Sequence, residues 1–240
     1  MPDPSSWVCL LIQRGKPMVH VYTRVARANR RLIDAFAGLG AATVYEASGR
    51  KGSVDPQIKP LARGIKLLGT AITVQCHPKD NLMLHKALQI AEKGDVIVAS
   101  TQGYPEAGYW GGLMTRSAVA RGLGGLAIDG CVRDSEEIIE LNFPVFCRGT
   151  CIRGTTKGVL GYINHPVLFG DVVVNPGDLI LGDDDGLVVV AREKIEAVLK
   201  ASQDRVAKEE EKARALESGV SSVELNRLDE VFKSLGLSED

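Results

Sequence analysis

The run Ile128-Asp-Gly-Cys-Val-Arg-Asp-Ser-Glu-Glu137 brings together side chains that could do chemistry as a group. Arg133 sits directly beside Asp134, and Glu137 follows three residues later, so both carboxylates can share one face of a helix. Paired carboxylates offer the oxygen ligands that a hard divalent cation takes. An arginine stays protonated and donates to the oxygen of a keto acid. The same spacing also fits a helix start, with Asp134 capping and Glu137 reaching back, and both readings stand on these residues alone. A second stretch, Gly111-Gly-Leu-Met-Thr115, opens a helix from a glycine-rich loop. The unpaired amides at such a start suit a small anion such as a carboxylate. Arg133 lies just past a strand, and the carboxyl ends of strands are where α/β folds bind ligands.

Other candidates carry less. Asp183-Asp-Asp-Gly186 looks like a metal site, but Asp-Gly between two strands is a hairpin signal. His20, His77, His85 and His165 are scattered, and His85 reads as a structural histidine. Cys147 and Cys151 lack the second pair that a zinc site needs. No Gly-x-Gly-x-x-Gly follows a strand, and neither a Walker sequence nor Gly-x-Ser-x-Gly occurs. A Schiff-base lysine belongs in an apolar environment; the strands contain none, and Lys157 falls in a polar loop.

The elements that must position these residues follow from periodicity. Apolar steps of three and four predict a helix over Arg24–Leu39, and a short one over Thr43–Ser48. Gly69–Gln75 alternates as a strand. Asp80 is an N-cap candidate for a helix over Asn81–Lys93, followed by a buried strand, Asp95–Ser100. A loop rich in glycine, proline and aromatics runs from Thr101 to Gly112, then a helix over Leu113–Arg121. Gly125–Asp129 and Pro144–Cys147 read as strands around a helix over Ser135–Leu141. From Gly158 to Val190 the pattern is all-β. Helices over Arg192–Glu217 and Val223–Leu235 end the chain, with Ser221 and Glu224 as a capping box. The expected architecture is one mixed-sheet α/β domain over residues 1–191 and a C-terminal helical extension over 192–240.

With 29 Lys and Arg against 30 Asp and Glu in 240 residues, the net charge of -1 argues against a nucleic-acid or polybasic membrane binder. Five cysteines do not suggest a disulfide scaffold, which points to the reducing cytoplasm. No apolar run reaches the roughly 18–20 residues of a membrane span, and residues 1–12 do not read as a secretory signal.

Taken in order, several segments resemble the 4-hydroxy-4-methyl-2-oxoglutarate/4-carboxy-4-hydroxy-2-oxoadipate aldolase family, which includes the regulator of ribonuclease E activity A and its relatives. They are Ala42–Arg50, Gly69–Val74, Asp80-Asn81, Gly94–Val98, Gly111–Met114, Ile128–Asp134, Phe143–Phe146, Pro176–Ile180 and Asp183–Val190. The aldolase branch carries Asp, twenty residues, then Arg-Asp. Here Gly112 stands at the first position before Arg133-Asp134, and Glu137 supplies an acid three residues on, which resembles a second form of the motif. The resemblance implies an α/β sandwich flanked by helices, assembled as homotrimers or hexamers with sites between subunits. It implies class II retro-aldol cleavage of 4-hydroxy-2-oxo acids to pyruvate plus pyruvate or oxaloacetate, with oxaloacetate decarboxylation alongside. Asp134 and Glu137 would then hold Mg²⁺ or Mn²⁺, Arg133 would stabilise the enolate, and the amides of Gly112, Leu113, Met114 and Thr115 would hold the pyruvyl carboxylate. A non-enzymatic regulator that binds ribonuclease E is the alternative. In the tail, the apolar stripe that starts at Ile195 and Leu199 meets Glu209, so Glu209 or Glu211 is a candidate to reach a neighbour's site; a solvated face with local ion pairs is the competing reading.

Overall fold

The computed structural model describes residues 19–239. The reading of residues 1–12 lies outside them. A mixed eight-stranded sheet forms the centre. Its parallel core is made of Leu67–Gln75, Asp95–Ser100, Gly125–Ile128 and Val145–Cys147, and Lys59–Pro60 pairs antiparallel at one edge. On the other side Leu67–Gln75 pairs antiparallel with Leu179–Asp183, which turns back through Asp184 and Asp185 into Gly186–Val190. The Val- and Ile-rich run Asp95–Ser100 is buried throughout, as befits a strand covered on both faces.

Helices Leu82–Ile90 and Gly112–Ala120 cover one face, where Leu84, Ala87, Met114, Ala118, Trp110 and Ile138 pack into one core. The opposite face is closed by Val54, Ile58, Val167, Phe169 and Val174. A third core joins Ile33, Phe36 and Val44 to Ile195 and Val198 at the start of the long helix Ile195–Glu217.

Three very short strands escape a reading by periodicity. Gly108–Trp110, Cys131–Val132 and Gly149–Thr150 form a small parallel sheet. They follow the central strands Asp95–Ser100, Gly125–Ile128 and Val145–Cys147 in the chain, so the mini-sheet continues the carboxyl ends of the main one.

Other boundaries differ from expectation for identifiable reasons. The first helix spans only Arg30–Asp34. Arg27, expected inside it, instead places Nε and Nη2 3.0 and 2.8 Å from the two oxygens of buried Asp95, and Asn29 caps the shorter helix through the Arg31 amide. The last helix is split into Ser222–Leu225 and Leu228–Leu235 by Arg227, whose backbone is left-handed. Ser221 caps the first piece as expected, accepting from the Glu224 amide at 3.1 Å.

The aspartates of the 183–185 turn serve the backbone. Asp183 accepts from the amides of Ala41 and Asp185, and Asp184 from Gly64. The hairpin reading therefore holds. In the tail, Glu209 lies 2.8 Å from Arg205 on its own helix, the local pairing expected of a solvated face. No described helix is long and apolar enough to cross a membrane.

Candidate active site at the carboxyl ends of the central strands

Arg133 and Asp134 lie where the chain leaves the mini-sheet strand Cys131–Val132 and enters the helix Ser135–Glu140. The Arg133 amide is fixed to the Trp110 carbonyl at 2.8 Å, so the two adjacent strand ends are locked together. Asp134 takes a left-handed backbone, φ +56°, which is uncommon for a residue with a side chain.

The capping expectation for Asp134 fails in a specific way. Its side chain makes no bond to the amides of its own helix. It turns across to a different element and accepts from the Gly112 amide at 3.1 Å. The αL backbone is what turns the carboxylate away, so Asp134 joins the Ser135 helix to the start of the Gly112 helix.

Glu137 comes to the same place from one turn along. A side chain carbon at Gly112 would overlap the Glu137 carboxylate, and one at Gly111 would crowd Asp134 Oδ2 and the Arg133 side chain. The glycine pair thus lets both carboxylates and Arg133 approach one helix start. It also gives a physical basis for the swapped motif, because the space that a side chain at 112 would fill is occupied by the carboxylate of Glu137. Sequence reasoning missed Arg116, whose Nε pairs with Glu137 Oε1 at 2.6 Å. One oxygen of Glu137 is therefore committed, and the other faces Gly112.

The four expected amides divide. Thr115 N–H already donates to the Gly111 carbonyl at 3.0 Å, and its hydroxyl accepts from Trp110 Nε1 at 2.8 Å. It stabilises the helix start and has no amide left for a ligand, which corrects that expectation. The Gly112 amide is taken by Asp134. The amides of Leu113 and Met114 remain, because the first turn of a helix gives them no acceptor within it.

Trp110, Gly111, Leu113, Met114, Arg133 and Asp134 line a cleft of about 280 Å³, together with Asn81, His85, Gly108, Tyr109, Gly154, Thr155 and Lys157. None of these seven is a site residue in the sequence reading, and three of them carry side chains that bear on the chemistry. Asn81 is buried; its Nδ2 donates to the Tyr109 carbonyl at 2.8 Å, and its Oδ1 has no partner. His85 is largely open to solvent, and partial desolvation of its ring, with the nearby Lys157 charge, lowers its pKa. Lys157 is also exposed, unlike the desolvated lysine of a Schiff-base enzyme. Its loop is held by Asp80, whose Oδ2 accepts from Thr156 Oγ1 at 2.8 Å, Gly158 N at 2.6 Å and Val159 N at 3.2 Å. Burial alone would raise the Asp80 pKa, but these bonds and one from the Leu82 amide bring it below the usual carboxylate range.

Among the described residues, no three His, Cys, Asp or Glu side chains converge as a ready metal cage. The oxygen donors of Asp134 and Glu137 nonetheless fit a hard cation that keeps several waters, as Mg²⁺ does when bound by one or two carboxylates. Arg133 Nε lies 3.7 Å from Asp134 Oδ2, and its guanidinium makes no hydrogen bond among the described residues, which leaves its planar donor fork available.

Residues 31–189 match the RraA-like family model described as aldolase/RraA. A protein of Halalkalibacterium halodurans named "Putative 4-hydroxy-4-methyl-2-oxoglutarate aldolase" is 34% identical over 199 residues, which is 83% of this chain and 95% of that one. An uncharacterized protein of Methanocaldococcus jannaschii is 39% identical over 155 residues, 63% of this chain and 74% of its own. Among solved structures, an uncharacterized Pseudomonas syringae protein superposes with a TM-score of 0.74 at 28% identity, covering 84% of this chain and 98% of that one. RraAS2 of Streptomyces coelicolor, described as an unusual member of the RNase ES inhibitor RraA family, gives 0.70 at 27% identity over 79% and 99%. The family match spans the central sheet, the glycine-opened helix and the Arg133-Asp134 turn, and on that basis the chain belongs to the RraA-like aldolase/RraA family.

Proposed function

We propose that the protein is a divalent-metal-dependent aldolase that cleaves 4-hydroxy-2-oxo acids, such as 4-hydroxy-4-methyl-2-oxoglutarate, to pyruvate and a second 2-oxo acid, and that it also decarboxylates oxaloacetate. The observation that carries this reading is the convergence of Arg133, Asp134 and Glu137 on the Gly111-Gly112 helix start. The free amides of Leu113 and Met114 bind the substrate's 1-carboxylate, aided by the positive end of the helix. Arg133 donates to the 2-keto oxygen, where negative charge develops as the C–C bond breaks. Asp134 and Glu137 are the residues that would hold Mg²⁺ or Mn²⁺, with Arg116 and the Gly112 amide fixing their carboxylates. The ion, when bound, supplies Lewis-acid polarisation of the 2-keto oxygen. Cleavage and decarboxylation share this machinery because both leave the electron pair on the carbon next to the keto group. In the family's homo-oligomers the site would be completed between subunits.

The test is pyruvate release from 4-hydroxy-4-methyl-2-oxoglutarate and from oxaloacetate. Chelator should abolish it, and added Mg²⁺ or Mn²⁺ should restore it. Full activity in chelator together with borohydride trapping of substrate would transfer the chemistry to a lysine. No turnover with any such acid, alongside binding to ribonuclease E, would favour the regulator reading.

A further inference from the structure

The two helices that begin at the cleft leave a groove between them. Asn81 and Gly111, which precede Leu82–Ile90 and Gly112–Ala120, both line the cleft, so the helices leave it side by side in one direction. Arg121 ties their far ends together, its Nη2 donating to the carbonyls of Gln89 and Ala91 at 3.0 and 3.1 Å. The space between the helices is about 270 Å³, and His85, Leu113 and Met114 line both it and the cleft. The groove is therefore an outlet of the cleft.

Its chemistry differs from that of the cleft. Leu88, Leu113 and Met114 supply apolar surface, Gln89 and Ser117 are uncharged, and no carboxylate lines the space. Leu113, Ser117 and Arg121 follow one another at steps of four along one helix stripe, a span of about 12 Å. Leu88 and Met114 are buried, whereas the Leu113 side chain is 84% exposed. A leucine so placed loses its contact with water when an apolar group lies along the groove. A substituent of one carbon leaves a groove of this length unfilled.

Resting on the aldolase reading, we propose that this groove receives an extended aliphatic group carried on C4 of the substrate, so that the protein cleaves 4-hydroxy-2-oxo acids with long apolar side chains. With the 1-carboxylate on the Leu113 and Met114 amides, the aliphatic group runs past His85 and along Ser117. In the cleavage the C3–C4 bond breaks, its electron pair stays on C3, and C3 takes up a proton to give pyruvate. The C4 hydroxyl gives up its proton and becomes the carbonyl of a second product, which keeps the aliphatic group. One proton is lost and one is gained, so the step needs no further reactant.

The experiment is a calorimetric titration of the full chain in Mg²⁺ with pyruvate, 2-oxobutanoate, 2-oxopentanoate and 2-oxohexanoate, which lack the 4-hydroxyl and are not cleaved. Affinity should rise about two- to fourfold with each added carbon, the effect of burying one methylene. Ser117→Trp, which fills the groove, should bind pyruvate within about twofold of the wild type and lose the rise, and Ser117→Ala should keep it. The proposal is overturned by a wild-type affinity that is flat or falls with chain length. It is equally overturned by a Ser117→Trp protein that keeps the rise, or that loses pyruvate affinity to the same extent as the longer acids. A flat series alongside a Ser117→Trp protein of altered assembly size gives the groove to a second copy instead. Pyruvate binding with a flat series sinks this inference and leaves the aldolase reading standing, whereas no binding of any of these acids overturns both.

Discussion

Replacing Asp134 separates its two jobs, backbone geometry and charge. Its φ of +56° lies in the left-handed region, where an ordinary side chain costs about 1–2 kcal/mol and asparagine is among the residues that tolerate it best. Its Oδ2 also accepts the 3.1 Å bond from Gly112, worth about 0.5–1.5 kcal/mol. Asp134→Asn keeps the acceptor and the backbone preference and removes only the charge. It should unfold within about 0.5 kcal/mol of the wild type without metal. Asp134→Ala loses both features and should cost about 1–3 kcal/mol. Urea melts with and without Mg²⁺ measure both quantities. The wild type should gain stability on adding Mg²⁺, and Asp134→Asn should gain much less, although the two match in its absence. The reasoning is refuted if Asp134→Asn is as unstable as Asp134→Ala and still responds to Mg²⁺ like the wild type.

Arg133→Lys should keep the fold, since the side chain is exposed, yet lower turnover by about 10–100-fold because an ammonium lacks the planar donor fork; a melt and a pyruvate assay on one sample check this. Asp80→Ala should destabilise by about 2–4 kcal/mol, because the buried carboxylate satisfies four donors that would be left unpaired. The folded-state pKa of Asp80 is depressed, so its contribution is present above the unfolded value of about 4 and is lost as pH falls through the folded one. Stability against pH should show that acid limb in the wild type and lack it in the variant. Asp129 has the opposite sign: burial raises its pKa despite bonds from Thr101 and Ser100 and the nearby Arg148 charge. Its ionised form therefore destabilises the fold as pH rises from about 4 through the folded value, and Asp129→Asn should match or exceed wild-type stability at neutral pH. A large loss at neutral pH that shrinks on acidification would contradict that sign.

The parts of the fold legible in the sequence are those set by local pattern. Asp95–Ser100 is an uninterrupted β-branched run and occupies the expected bounds. The helix opened by Gly111-Gly112 begins within one residue of expectation, because the glycines and the apolar steps after them are local signals. Arg24–Leu39 failed because a long-range partner overrode periodicity: Arg27 reaches Asp95, 68 residues away. The mini-sheet was invisible because strands of two or three residues carry no alternation to read.

The site divides along the same line. Arg133, Asp134 and Glu137 could be named from spacing, and the capping pattern was a fair competitor until the left-handed turn at Asp134 settled which way its carboxylate points. Arg116 at Glu137, and Asn81, His85 and Lys157 at the cleft, escape the sequence reading because what brings them there is tertiary. Asp80 pins the Lys157 loop from 76 residues away, and no local signal encodes that. Thr115 was assigned an amide role that the helix itself consumes, a detail that depends on where the first turn starts.

The central claim is that Arg133, with a divalent cation that Asp134 and Glu137 would hold, stabilises an enolate formed from a pyruvyl group. Deuterium uptake into the methyl group of pyruvate, followed by proton NMR in heavy water, tests it without requiring the physiological substrate. The account predicts enzyme-dependent exchange in Mg²⁺, none above background in chelator, and a severe loss in Arg133→Lys. Exchange that persists undiminished in chelator, or no exchange in a folded protein that binds pyruvate and Mg²⁺, would contradict it.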